Sequence, residues 1–234
     1  MAIAVIPARG GSKRIPRKNI RLFQGTPVIG LTIKTLQDSG IFTHILVSTE
    51  DPEIGATASK FGAKILWRDL ALSDDYTTTQ QVMKVSVESI PISYASKDDP
   101  IFCVYPVTPF LTKELLHKGL AEVNSIGEGY VLVAQECRTP PERVFYYNKQ
   151  GELEMPFPGA MQTRTQDFPP KFVDAGLFYA ASRQTWSSGL PIFSPSSKFI
   201  EIGRFDSVDV DQIQDWEFAE EIYNFRVKKT PTNS

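Results

Sequence analysis

Short apolar runs at residues 3–6, 45–47, 63–67, 101–105 and 130–134 recur between longer amphipathic segments. Continuous runs of this length suit strands buried on both faces, the usual condition in a parallel sheet. The intervening segments 27–40, 52–62, 77–89 and 112–125 open at Pro or Thr, and the first two end at Gly, as helix starts and stops do. Strand and helix alternate, which predicts an α/β fold with a mainly parallel sheet covered by helices on both faces. From 138 to 170 the rhythm breaks: Pro140-Pro141, Pro156 and Pro158 surround the aromatic run Phe145-Tyr146-Tyr147, which has no helical period. This is either a disordered linker or an ordered β-rich arm that needs a surface to pack against, and the aromatics favour the arm. Strand-like runs at 171–181 and 199–204 and an amphipathic helix over 213–225 follow, and the polar tail 228–234 is expected to fray.

With 234 residues and 41% hydrophobic content the chain can bury one sizeable core, so 1–234 reads as a single domain into which 138–170 is inserted as the arm. Lys and Arg total 25 against 27 acidic residues, a formal charge of -2. That balance supplies no global field for nucleic acid or for an anionic membrane surface, so any anion site must be local. Cys103 and Cys137 belong to no CxxC or Cys/His pattern and read as buried free thiols in a reducing compartment. The apolar run at 2–8 is shorter than a secretory core and meets a basic loop instead of a cleavage site, and no stretch approaches membrane-spanning length. The expected location is the cytoplasm.

Chemistry concentrates in Pro7-Ala8-Arg9-Gly10-Gly11-Ser12-Lys13-Arg14-Ile15-Pro16-Arg17-Lys18-Asn19, directly after the first strand. Open α/β sheets bind ligands at that edge. The glycines let backbone N–H groups approach oxygens, Ser12 adds a hydroxyl, and five cations between Arg9 and Lys18 supply charge for a polyphosphate. The spacing is neither G-x-G-x-x-G nor G-x-x-x-x-G-K-[ST], so the alternative is a solvated basic loop. In Asp206-Ser207-Val208-Asp209-Val210-Asp211, an extended backbone would point Asp209 and Asp211 to one side, where they can share a hard cation. Otherwise Asp211 caps the closing helix and Asp209 is solvated. Asp51 either faces a ribose or caps the helix beginning at Pro52, Thr77-Thr78-Thr79 lines a base pocket or opens a helix, and Asp74-Asp75 reads as a solvated turn.

The run from Ile6 to Lys13, with Pro16 and Lys18-Asn19, resembles the acylneuraminate cytidylyltransferases, also called CMP-sialic acid synthetases. The likeness continues through Val47-Ser48-Thr49-Glu50-Asp51, Arg68 with Leu72-Ser73-Asp74-Asp75, Pro106-Val107-Thr108-Pro109-Phe110, and Asp209-Val210-Asp211 with Asp215-Trp216. Thr163-Arg164-Thr165-Gln166-Asp167 and Asp174-Ala175-Gly176-Leu177-Phe178-Tyr179 are similar to the pseudaminic acid branch. The resemblance implies a Rossmann-like sheet with a protruding β-rich dimerisation arm that reaches the partner's sugar site in a homodimer. It implies that Arg9, Gly11, Ser12, Lys13 and Lys18 hold the triphosphate of CTP, that Asn19, Arg68, Thr77 and Thr79 contact the nucleoside, and that Asp209 and Asp211 hold Mg2+. Arg9, Lys18 and Asp211 are the expected catalytic residues, and Tyr105, Thr108, Arg164, Asp174, Tyr179 and Phe193 the expected acceptor contacts.

Sialic acid synthetases carry Gln where this chain has Tyr105 and Arg near Val173, and Kdo synthetases carry Lys-Pro where it has Lys18-Asn19. The expected acceptor is therefore a nine-carbon nonulosonic acid of the pseudaminic type, with sialic or legionaminic acid as the alternative. A UDP-sugar glycosyltransferase with an Asp-x-Asp metal site is a rival, but it has no triphosphate to cradle. A non-catalytic nucleotide-binding protein of the same fold is the rival from another class.

Overall fold

A computed structural model of the protein describes residues 1–229. In chain order the elements are β1 (Ala2–Pro7), β2 (Leu22–Phe23), β3 (Thr26–Pro27), α1 (Val28–Ser39), β4 (Phe42–Thr49), α2 (Pro52–Lys60), β5 (Lys64–Trp67), α3 (Thr79–Ser89), β6 (Pro100–Val104), α4 (Lys113–Ile126), β7 (Val131–Glu136), β8 (Tyr146–Tyr147), β9 (Leu153–Glu154), β10 (Phe172–Ser182), α5 (Arg183–Ser188), β11 (Lys198–Ile202) and α6 (Ile213–Lys229). Each apolar run of the sequence becomes a strand of one sheet, ordered β11-β7-β10-β6-β1-β4-β5. Within that sheet every pairing is parallel except the two made by β10, which runs antiparallel between β6 and β7.

Alternation along β1 explains why both faces are covered. Ala4 and Ile6 enter a core with Ile33 and Leu36 of α1, Ile54 of α2 and Leu116 of α4. Ile3 and Val5 enter a second core with Met83 and Val87 of α3 and Trp186 of α5. A third cluster places Ile15, Phe23 and Val28 against Trp216 of α6, fastening the loop after β1 to the closing helix. The helix boundaries follow local chemistry: Asp51 accepts from the amides of Glu53 and Ile54, Thr78 and Gln81 form a capping box, and Gly40 stops α1 at φ 68. Short α5, begun by the Ser182 cap, carries too few residues to show a period in the sequence.

The segment 138–170 differs from the β-rich expectation. It contains one hairpin of two-residue strands, β8 and β9, and three 3-10 turns at Pro141–Arg143, Pro158–Gln162 and Thr165–Asp167. Six prolines in that segment withhold the N–H donors a longer ladder would need. Phe145, Tyr147 and Leu153 stay 64%, 75% and 60% exposed. Cys103 is buried as expected, but Cys137 is only half-buried because it follows the end of β7. No helix among the described residues is long and apolar enough to cross a membrane. The part of the tail at 230–234 lies outside the described residues.

Candidate functional site

The C-terminal ends of β1, β4, β5 and β6 share one edge of the sheet, and the reversed β10 brings its first residues to the same edge. The loop after β1 walls a cleft of about 830 Å³ there. Backbone and side-chain bonds fix that loop: Asn19 Nδ2 donates to Arg9 O at 2.9 Å, and the Gly10 amide donates to Glu50 Oε1 at 2.7 Å. Gly10 is required by close approach, since a Cβ there would lie 2.3 Å from Asp51 Oδ2, whereas a Cβ on Gly11 would meet nothing within 4 Å.

Four of the five loop cations line the cleft: Arg9, Lys13, Arg14 and Lys18. Arg17 does not contribute to the cleft lining. It adopts a left-handed backbone (φ 56) and turns to Asp51, at 2.6 Å, and to Glu53. Arg9 Nη1 donates to Asp75 Oδ1 at 2.8 Å and to the Asp74 carbonyl at 2.6 Å, and Lys13 reaches the other Asp75 oxygen at 2.5 Å. The Asp74-Asp75 turn is thus a counter-charge to the loop and not merely solvated. Lys18 Nζ donates to Val210 O at 2.9 Å and lies 4.0 Å from Asp211 Oδ1, which Arg14 also contacts at 2.7 Å. Burial pushes the Lys18 ammonium down, and Asp211 and Asp209 oppose that shift.

Asp209 and Asp211 line the same cleft. Desolvation pushes the Asp209 carboxyl up, and the charge of Asp211 pushes it further. Asp211 Oδ1 accepts from Arg14 at 2.7 Å, and Asp215 is the carboxylate that accepts from backbone amides at the start of α6, those of Asp211 and Gln212, at 3.0 and 2.7 Å. Two mutually repelling carboxylates are a hard-oxygen pair that a divalent cation would neutralise. Among the described residues no cluster of three or more His, Cys, Asp or Glu side chains forms a full metal cage, so the remaining ligands would have to be substrate phosphates and water.

Of the other expected residues, Ser12, Asn19, Arg68, Thr77, Thr79, Tyr105 and Asp174 also line the cleft, together with Val173. Gly11 sits in the loop without lining it. Thr108 is buried away from the cleft, bonded to Thr32 Oγ1 at 3.0 Å, and belongs to the packing of α1. Tyr179 is buried behind the wall and donates its hydroxyl to Asp174, so it acts through that carboxylate. Phe193 is 69% exposed after α5 and outside the cleft lining. Arg164 is exposed on the arm, paired with Asp167 at 2.8 Å. Glu50 is the residue missed by inspection of the sequence. It bonds Gly10, Arg68 and Ser73 from beneath the cleft; the sequence placed it in the Val47–Asp51 run of the family likeness but gave it no role.

The cytidylyltransferase family profile matches residues 3–183 of the chain. The chain belongs to the cytidylyltransferase family. It is therefore a nucleotidyltransferase. Pseudaminic acid cytidylyltransferase of Campylobacter jejuni subsp. jejuni serotype O:2 is 36% identical over 222 residues, covering 94% of this chain and 95% of that protein. CMP-N,N'-diacetyllegionaminic acid synthase of Legionella pneumophila is 26% identical, with 94% of this chain and 95% of that protein covered. The solved structure of a CMP:2-keto-3-deoxy-manno-octonic acid synthetase complexed with CTP superposes with a TM-score of 0.68 over 96% of this chain and 99% of that one, at 17% identity, and shows the common fold. Enzymes of this kind generally use a divalent metal ion, which suits the Asp209 and Asp211 pair.

Proposed function

We propose that this cytidylyltransferase joins CMP from CTP to a nine-carbon nonulosonic acid, pseudaminic acid, with release of pyrophosphate. The carrying observation is the 36% identity to the Campylobacter jejuni pseudaminic acid enzyme across nearly the whole of both chains. The cleft agrees with it: Tyr105, in the position of the sialic-type Gln, and Val173, near that of the sialic-type Arg, both line the cavity.

The anomeric C2 hydroxyl oxygen of the sugar forms a bond to the α-phosphorus of CTP. The bond from that phosphorus to the bridging oxygen breaks, and pyrophosphate leaves with the electron pair. Such a displacement needs positioning and charge neutralisation more than covalent catalysis. Arg9, Ser12 and Lys13 hold the outer phosphates once Arg9 and Lys13 leave Asp75, and Lys18, anchored on the Val210 carbonyl, neutralises charge that accumulates at the α-phosphate. Arg68, Thr77 and Thr79 face the nucleoside, and Asn19 holds the loop through the Arg9 carbonyl. Asp174, its oxygens occupied by the Gly176 amide and the Tyr179 hydroxyl, faces the acceptor, whose hydroxyl proton passes to Asp211. Asp209 and Asp211 would hold Mg2+, which when bound would supply charge neutralisation for the phosphates.

The exposed aromatic arm is proposed to close a homodimer and to carry Arg164 to the partner's sugar site. The test is pyrophosphate release with each NTP against pseudaminic, legionaminic, N-acetylneuraminic and Kdo acids. The expected result is CTP with pseudaminic acid first by kcat/KM, and preference for N-acetylneuraminic acid or Kdo would reject the acceptor while leaving the cytidylyltransferase intact.

A further inference from the structure

Three segments around the cleft meet at one half-buried carboxylate. Glu50, just after β4, accepts at Oε1 from the Gly10 amide at 2.7 Å and at Oε2 from both Arg68 Nη2 and Ser73 Oγ at 2.9 Å each. The Arg68 Nε donates to the same Ser73 hydroxyl at 3.1 Å, which closes a ring of hydrogen bonds among Glu50, Arg68 and Ser73. The Arg68 and Glu50 side chains are only 5% and 10% exposed, so this pair is shielded from solvent, unlike the pairs that Asp75 makes. The Arg68 amide also donates to Thr49 O at 3.0 Å, so backbone and side chain together tie the end of β5 to the end of β4.

We propose that Glu50 is a positioning residue for the nucleotide: it sets the angle of the Arg68 guanidinium toward the cleft and locks the first glycine of the phosphate loop in register with it. This rests on the reading of CTP as the donor. Two of the Arg68 nitrogens are committed to Ser73 and Glu50, so the donors that remain have one orientation. A guanidinium fixed in this way offers only N–H groups to a base edge. Cytosine presents acceptors at O2 and N3, whereas uracil presents a donor at N3 that opposes the fixed donors. A guanidinium released from Glu50 can turn away from that clash, so discrimination falls together with affinity. Glu50 touches neither the base nor the phosphates in this arrangement, and its effect passes through Arg68 and Gly10.

The experiment is calorimetric titration of CTP and UTP, with magnesium in the buffer and no acceptor sugar, into the wild type, Glu50→Gln and Ser73→Ala, alongside thermal melting. Glu50→Gln is isosteric and keeps an oxygen for Gly10, but sets an amide N–H₂ against Arg68. It is expected to weaken CTP binding on the order of 10- to 100-fold, the loss typical of a hydrogen bond to a charged group, and to narrow the CTP-to-UTP ratio. Ser73→Ala, which removes one bond from each partner without stranding a charge, should shift affinity and ratio the same way by a few-fold at unchanged melting temperature. A lower melting temperature with an unchanged CTP-to-UTP ratio in both variants would make Glu50 a purely structural residue and overturn the proposal. Failure of the wild type to bind CTP would instead remove the donor assignment on which it rests.

Discussion

Replacing Gly10 by Ala should destabilise the fold, while the same change at Gly11 should not, and the difference can be worked from neighbouring atoms. The Cβ added at position 10 would lie 2.3 Å from Asp51 Oδ2 and 3.0 Å from its Cγ. Asp51 cannot retreat freely, because it accepts from the Glu53 amide at 2.9 Å, the Ile54 amide at 3.0 Å and Arg17 Nη1 at 2.6 Å. Yielding would therefore undo the cap of α2 and its ion pair with the loop, and holding still would strain the loop. Loss of a helix cap costs about 1 kcal/mol and overpacking about 1–3 kcal/mol, so the combined penalty is roughly 2–4 kcal/mol. For a chain of this size that corresponds to a melting temperature lower by about 5–15 °C. Gly11→Ala meets nothing within 4 Å and should melt within a degree or two of the wild type. Urea titration and thermal melting of both variants measure the contrast. Equal shifts, or a stable Gly10→Ala, would refute the claim that Asp51 is fixed against the loop.

Lys18→Ala should lower kcat more than it raises the KM for CTP, since the charge it faces builds up chiefly in the transition state; unchanged kcat with weaker binding would make it a ground-state clamp. Turnover should stop with a chelator and return with Mg2+ or Mn2+, and Asp211→Ala should lose rate while melting near the wild type; full turnover by that variant at saturating CTP would remove the metal assignment. Burial alone would raise the Glu50 carboxyl, but bonds from the Gly10 amide, Arg68 and Ser73 outweigh it and hold the carboxyl below its usual range. The stability that ionised Glu50 adds over Glu50→Gln is then complete above the ordinary Glu value near pH 4.3 and lost as pH falls through the depressed native value, which melting of both proteins from pH 7 to pH 3 will show. Phe145→Asp with Tyr147→Asp should convert a dimer to a monomer in light scattering; a wild type that is already monomeric would contradict the proposed role of the arm.

The sheet was legible because burial on two faces leaves a local mark, an unbroken apolar run, and because caps such as Asp51 and Thr78 act within three residues of themselves. The reversal of β10 was not legible: its run looks like the others, and only the pairing with β6 and β7 gives it a direction. The cleft lining was foreseen where chemistry and position coincide, as at Arg9, Lys18 and Asp211. It was misjudged where the sequence gives only residue type. Arg17 looks like its neighbours in the loop but is turned aside by Asp51, and Thr108 looks like a ligand but completes a hydroxyl pair with Thr32. Glu50 escaped notice because its partners lie 40, 18 and 23 residues away and no local pattern joins them.

The charge balance of the cleft explains why its acids fall into two kinds. Arg9, Lys13, Arg14, Lys18 and Arg68 line it, but so do Asp74, Asp75, Asp174, Asp209 and Asp211, and Glu50 compensates Arg68 from beneath. The cavity as a whole therefore offers a triphosphate no excess positive charge, despite the basic appearance of the loop. Asp75 is 41% exposed and its pairs with Arg9 and Lys13 are open to water, where such contacts contribute about 0–1 kcal/mol and can be exchanged for phosphate oxygens at small cost. Asp209 and Asp211 differ in flanking Val210, whose carbonyl accepts from Lys18, and the charge of Asp211 adds to the desolvation that raises the Asp209 carboxyl. Arg14 and Lys18 offset part of the charge on Asp211, and a divalent cation is the partner that would relieve the repulsion that remains. The proposed magnesium nucleotide suits this balance better than a free polyanion: Asp75 would release the loop cations to the outer phosphates, and a divalent ion would neutralise the pair at 209 and 211.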